Sequence, residues 1–149
     1  MPAPAKVIGV LGLTPFVIPG TLVWIVSPVE RMIILDMILH YSAIILSFIG
    51  AIYWGIAMKT IKFQKNASQL GWTSYGWSVT PALIAWLATL LIAKLALLLL
   101  MLGFVAAYFY DLRAFKNGLI PVWYINLRKP LTLIVLICLG STLGSFLLG

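Results

Sequence analysis

Side chains able to do chemistry are few. The chain has one histidine, His40, one cysteine, Cys138, and three carboxylates, Glu30, Asp36 and Asp111. Asp36 and His40 stand four apart, so on a helix the carboxylate touches the imidazole. Such a pair could move protons, touch a quinone or ligate a haem iron. The structural reading is stronger: Asp36 falls in the first turn of its helix, where a negative charge suits the dipole, and His40 stays near the headgroups. A closed zinc site needs four N, S or O ligands and a catalytic one three. The chain is poorly equipped for either, so neither a metal nor a cofactor is expected. Asp111 is a single acid facing Arg113, Lys116, Arg128 and Lys129. Pairing with Arg128 would tie two helices together. One carboxylate without a partner acid or metal set argues against hydrolysis, and no enzyme is expected.

Composition says what surrounds these groups. Of 149 residues, 63% are apolar and 9% charged, against about a quarter charged in ordinary soluble domains. Mean hydropathy is +1.12. A soluble globular enzyme and a disordered chain are both excluded, so lipid is the solvent. One cysteine excludes an internal disulfide. The net charge of +7 sits between apolar runs, so it reads as membrane topology, with no nucleic-acid partner.

About 20 helical residues cross a hydrocarbon core. The apolar runs predict an all-α integral membrane bundle, a single domain over 1–149, with five helices at about 7–26, 33–58, 77–93, 95–110 and 131–148. The first run is read as an uncleaved helix, because no small-x-small site follows it. The stretch 77–110 is too long for one crossing. Divided in two, it leaves eight basic residues on one side (Lys6, Lys59, Lys62, Lys65, Arg113, Lys116, Arg128, Lys129) against Arg31 and Lys94. Undivided, the bias collapses to four against five. The expected topology is therefore N-terminus inside, C-terminus outside. Trp72, Tyr75, Trp77, Tyr108, Tyr110, Trp123 and Tyr124 fall near the inner interface, where amphipathic rings anchor.

Within the runs, Pro15 and Pro81 each remove a helical hydrogen bond, at the carbonyls of Leu11 and Trp77, and are expected to kink their helices. Thr14-Pro15 and Thr80-Pro81 also hint at a weak internal repeat of two hairpins. In the second run, Ala43, Ser47, Ala51 and Gly55 follow at intervals of four, with Gly50 beside them. The last run carries Gly140 and Gly144 with Ser141 and Ser145. Small residues on one face let helices approach closely. The candidate polar membrane site along the second helix comprises Asp36, His40, Ser47, Tyr53 and Trp54.

Three stretches taken together look familiar: YSAIILSFIGAIYWG from Tyr41 to Gly55, WSVTPALIAW from Trp77 to Trp86, and Asp111-Leu112-Arg113 with PVWYINLRKPLT from Pro121 to Thr132. They resemble the domain of unknown function 3429 family of proteobacteria and animal mitochondria, over nearly the whole chain. The resemblance implies a small polytopic inner-membrane protein and supplies no activity. The expected function is a non-catalytic accessory or assembly subunit of a larger membrane complex in the bacterial cytoplasmic membrane. Its partners would be the lipid bilayer and other membrane subunits or itself. One alternative is a small ion or metabolite transporter using Pro15, Pro81 and the polar face of the second helix. Another is a redox or proton-transfer subunit using His40.

Overall fold

The computed structural model describes residues 2–60 and 67–148, with the side chains of 2–58 and 72–148. Lys59, Lys62 and Lys65, part of the charge argument, lie with their side chains outside the described residues. Six helices and no strand are found among the described residues: α1 (Ala3–Leu11), α2 (Thr14–Leu22), α3 (Pro28–Thr60), α4 (Ala67–Thr89), α5 (Ala93–Lys116) and α6 (Val122–Leu148). Four segments are long and apolar enough to span a membrane: Ala3–Leu22, Pro28–Met58, Ala93–Lys116 and Val122–Leu148. The other long helix, α4, pairs along its length with α3. Its first half, with Thr73, Ser74 and Ser78 between aromatic rings, is more polar than the others. The turn between α4 and α5 marks what is called here the upper end, and the turn between α5 and α6 the lower end.

The first run is not one helix. It breaks at Gly12-Leu13, and Pro15 sits in the first turn of α2, where its missing N–H costs nothing. The expected kink at Pro15 is thus a helix start. The Thr14 hydroxyl donates to the Leu11 carbonyl at 2.7 Å, the acceptor that Pro15 leaves without its helical N–H, and Tyr41 Oη donates to the Gly12 carbonyl at 2.9 Å. Pro81, by contrast, stands inside an unbroken α4. The two prolines therefore play different roles, and the hinted repeat does not extend to them. Helices also overrun their apolar segments. α6 begins at Val122 rather than near 131 and passes through Pro130, and α3 begins at Pro28. Hydropathy marks the lipid-contacting length, whereas the backbone stays helical into the headgroup zone.

The shared core holds Phe16, Ile38, Leu46, Leu97, Leu100, Phe104 and Leu139, all buried. Large apolar residues such as Ile44, Phe48, Leu102, Leu133 and Ile137 point outward, as a lipid solvent requires. Close approach is made at three glycines. A Cβ on Gly50 would lie 2.7 Å from the Ser78 carbonyl oxygen and 2.9 Å from Pro81 Cγ, so α3 and α4 touch backbone to backbone there. A Cβ on Gly103 would meet Leu46 at 2.6 Å, and one on Gly20 would meet Cys138 Cβ at 3.1 Å. The four-spaced ladder is not the packing face as a whole. Ala51 and Gly55 are exposed, and nothing lies within 4 Å of a Cβ on Gly55. The line that α3 buries is Leu35, Ile38, Ser42, Leu46, Ile49, Gly50, Tyr53 and Ala57, the arc that faces the rest of the bundle. On α6, a Cβ on Gly140 would lie 3.8 Å from Met101 Cε and one on Gly144 3.7 Å from the Trp24 ring, ordinary contact distances.

Candidate functional site

At the lower end, three helices meet on one carboxylate. Asp111 on α5 is completely buried. Its Oδ1 accepts a 2.5 Å hydrogen bond from Tyr53 Oη on α3. Its Oδ2 accepts one of 2.8 Å from Arg128 Nε on α6. Helical periodicity delivers each group. Tyr53 continues the buried α3 line of Leu46, Ile49 and Gly50, Asp111 continues the α5 line of Gly103, Phe104 and Ala107, and Arg128 shares its face with Ile125 and Thr132. Depth follows from helix rise. Asp36 and Ala93 line one groove at the upper end. From there Tyr53 lies about 26 Å down α3 and Asp111 about 27 Å down α5. The cluster thus sits near the lower boundary of a hydrocarbon core about 30 Å thick.

An isolated carboxylate at that depth would be strongly disfavoured. Here the guanidinium neutralises it and the phenol occupies its other oxygen. Tyr110 stacks on Trp77, with ring centres 4.2 Å apart and planes 11° from parallel. It also meets Tyr53 edge to face at 4.8 Å. These rings close the site toward α4. Four buried polar atoms here have no protein partner: Arg128 Nη2, Tyr124 Oη, Thr132 Oγ1 and Trp77 Nε1. Three of them belong to residues spaced by four, on one face of α6. Chemically, the arrangement is a three-helix tie flanked by spare hydrogen-bonding capacity. It offers no free general base, since both Asp111 oxygens are engaged.

The five expected polar candidates do not converge. Asp36 and His40 are at the upper end, both exposed. His40 Nδ1 is 2.8 Å from the Asp36 carbonyl oxygen and 3.3 Å from Asp36 Oδ1. Both contacts are acceptors, so Nδ1 is the donor in them. The Ser47 hydroxyl donates to its own helix at Ala43, at 2.8 Å. Trp54 is exposed and lies edge to face with Tyr75. Only Tyr53 reaches the buried cluster. Asp111 and Arg128, expected as a pair, do meet. Among the described residues no three His, Cys, Asp or Glu side chains come together as a metal set.

Two further ties were not legible in the sequence. Trp24 Nε1 donates to Ser141 Oγ at 2.8 Å, and that hydroxyl donates to the Gly20 carbonyl at 2.9 Å. Arg31 Nη1 donates to the Ser145 carbonyl at 3.2 Å. Ser141 and Ser145 on one α6 face were the visible signal, but their partners are more than a hundred residues away in sequence.

Comparison with known proteins agrees with this architecture. A family model described as a protein of unknown function, DUF3429, matches residues 1–144. Transmembrane protein 69 of Xenopus tropicalis is 33% identical over 148 residues, covering 97% of this chain and 55% of that protein. The chain thus spans about half the length of that relative. No solved structure matches it. The buried charge pair, the apolar exterior and these two matches agree: the chain is an integral membrane protein that belongs to the DUF3429 family.

Proposed function

We propose that this protein is a non-catalytic accessory or assembly subunit that docks against another membrane protein in the bacterial cytoplasmic membrane. The observation that carries this reading is a groove of about 420 Å³ at the surface between α3 and α4. Its floor is made of small side chains, Ala43, Ser47, Ala82 and Ala85, with His40, Ile44, Trp86 and Thr89 around it. Such a floor lets a second helix approach closely. The engagement of both Asp111 oxygens supports the same reading, because the buried acid serves architecture. In this reading the lower end faces the cytoplasm, following the bias of basic residues.

The test is purification in mild detergent followed by mass spectrometry. A stoichiometric membrane partner is expected, and it should be lost when the groove is filled by Ser47→Leu or Ala82→Leu. A chain that purifies alone and carries solute flux in liposomes would replace this reading with a transporter. The four unpartnered polar atoms at the lower end favour that second reading, since such atoms attract water.

A further inference from the structure

We propose that the lower end of α5 binds an anionic phospholipid, with Arg113 and Lys116 on its phosphate and an acyl chain laid along the outer face of α5. The inference begins with charge. The whole chain has three carboxylates. Glu30 and Asp36 stand in the upper part of α3, and Asp111 is buried and already engaged by Arg128. Arg113 and Lys116 are exposed, and no carboxylate of this chain remains at their end to neutralise them. No group of this sequence neutralises them, which leaves both cations open to an external anion.

Geometry says what kind of anion fits. Arg113 and Lys116 line a groove of about 430 Å³ with Phe109, Tyr110 and Leu112. Its walls are therefore cationic at one end and aromatic or aliphatic at the other. Following the same helical face upward, Leu95, Leu98, Leu102 and Phe109 are all exposed. Their spacing of three, four and seven keeps them on one ridge with Arg113 and Lys116. Lys116 lies about 32 Å along α5 from Leu95. The ridge thus runs the depth of a leaflet and beyond before ending on two cations at headgroup level. A soluble phosphate would use only the last turn of this surface. A diacyl lipid with a negative headgroup uses the two cations and the leaflet-deep part of the ridge next to them, from Phe109 to Leu102, and juxtamembrane basic residues draw such lipids. Phe109, more than half exposed, stands where the glycerol backbone would cross from phosphate to chain.

The full-length protein, purified and exchanged into mixed micelles, is examined by native mass spectrometry with equal amounts of phosphatidylcholine and phosphatidylglycerol. At least one phosphatidylglycerol is expected to stay bound per chain in preference to phosphatidylcholine. The double variant Arg113→Gln/Lys116→Gln should weaken that retention about 30-fold. Lys94→Gln, at the upper end, should leave it unchanged. Both substituted side chains are exposed, and circular dichroism checks that helix content is kept. Equal retention of the two lipids, or full retention by the double variant, would overturn the proposal. Displacement of the lipid by millimolar inorganic phosphate would overturn the lipid assignment in favour of a soluble-anion site.

Discussion

Arg128 Nε lies 2.8 Å from Asp111 Oδ2 across the α5–α6 interface, where neither residue has appreciable contact with solvent. With Tyr53 on the other carboxylate oxygen, this pair joins three helices at one point.

Removing one partner strands the other in a poorly solvating site. Asp111→Ala and Arg128→Ala should each destabilise the fold by about 3–5 kcal/mol. The double substitution should cost clearly less than the sum, because no charge is left behind. Equilibrium unfolding in detergent measures all three. Additive costs would mean that the two groups do not interact.

Tyr53→Phe keeps the ring and its contact with Tyr110 but removes the donor to Asp111. The expected loss is about 1.5–3 kcal/mol, the scale for a hydrogen bond to a charged group. The same unfolding measurement reads it. In an Asp111→Asn background the loss should shrink, since the acceptor is no longer ionised.

Gly50 and Gly55 differ by five residues and in fate. Gly50→Leu should prevent folding or cut the yield of monodisperse protein severely, because even a Cβ would be 2.7 Å from the Ser78 carbonyl oxygen. Gly55→Leu places its side chain in open space and should be tolerated. Size-exclusion chromatography compares them. Equal behaviour would show that α3 and α4 do not cross at Gly50.

His40 and Asp36 are exposed at the upper end and bond within one helix. His40→Gln, which keeps a polar side chain of similar reach at the upper edge of the α3–α4 groove, and Asp36→Asn should leave membrane levels intact and complement a gene deletion. A null phenotype at normal levels would point instead to proton or redox chemistry at this pair, because glutamine does not titrate near neutral pH.

Orientation is tested separately. A reporter fused after residue 149 should lie outside the cytoplasm, and one inserted within 62–65 should lie inside. Both on the same side would break the alternation that five crossings require.

The sequence by itself determined the solvent. With 63% apolar residues and 9% charged, the chain belongs in lipid, where only helices and closed barrels satisfy the backbone; continuous apolar runs of about 20 residues, with no alternation, select helices. It also made the Asp111–Arg128 pair legible, since the acid had cations around it and no other acid nearby. Tertiary structure decided which polar residues share a site. Tyr53 and Trp54 are neighbours in sequence, yet one is buried against Asp111 and the other faces outward. A turn of about 100° per residue separates them, and only the positions of α4, α5 and α6 say which direction is inside. The same holds for the small-residue ladder. Its spacing defined a face, but a face is chosen for packing by its neighbours, and they chose Gly50 and left Gly55 open. At Pro15 the residue type announced a disturbance. Whether it would be a kink or the first turn of a new helix depended on Thr14 and Tyr41 being placed to take the carbonyls of Leu11 and Gly12. One of those partners comes from another helix, and its reach is a property of the folded bundle alone.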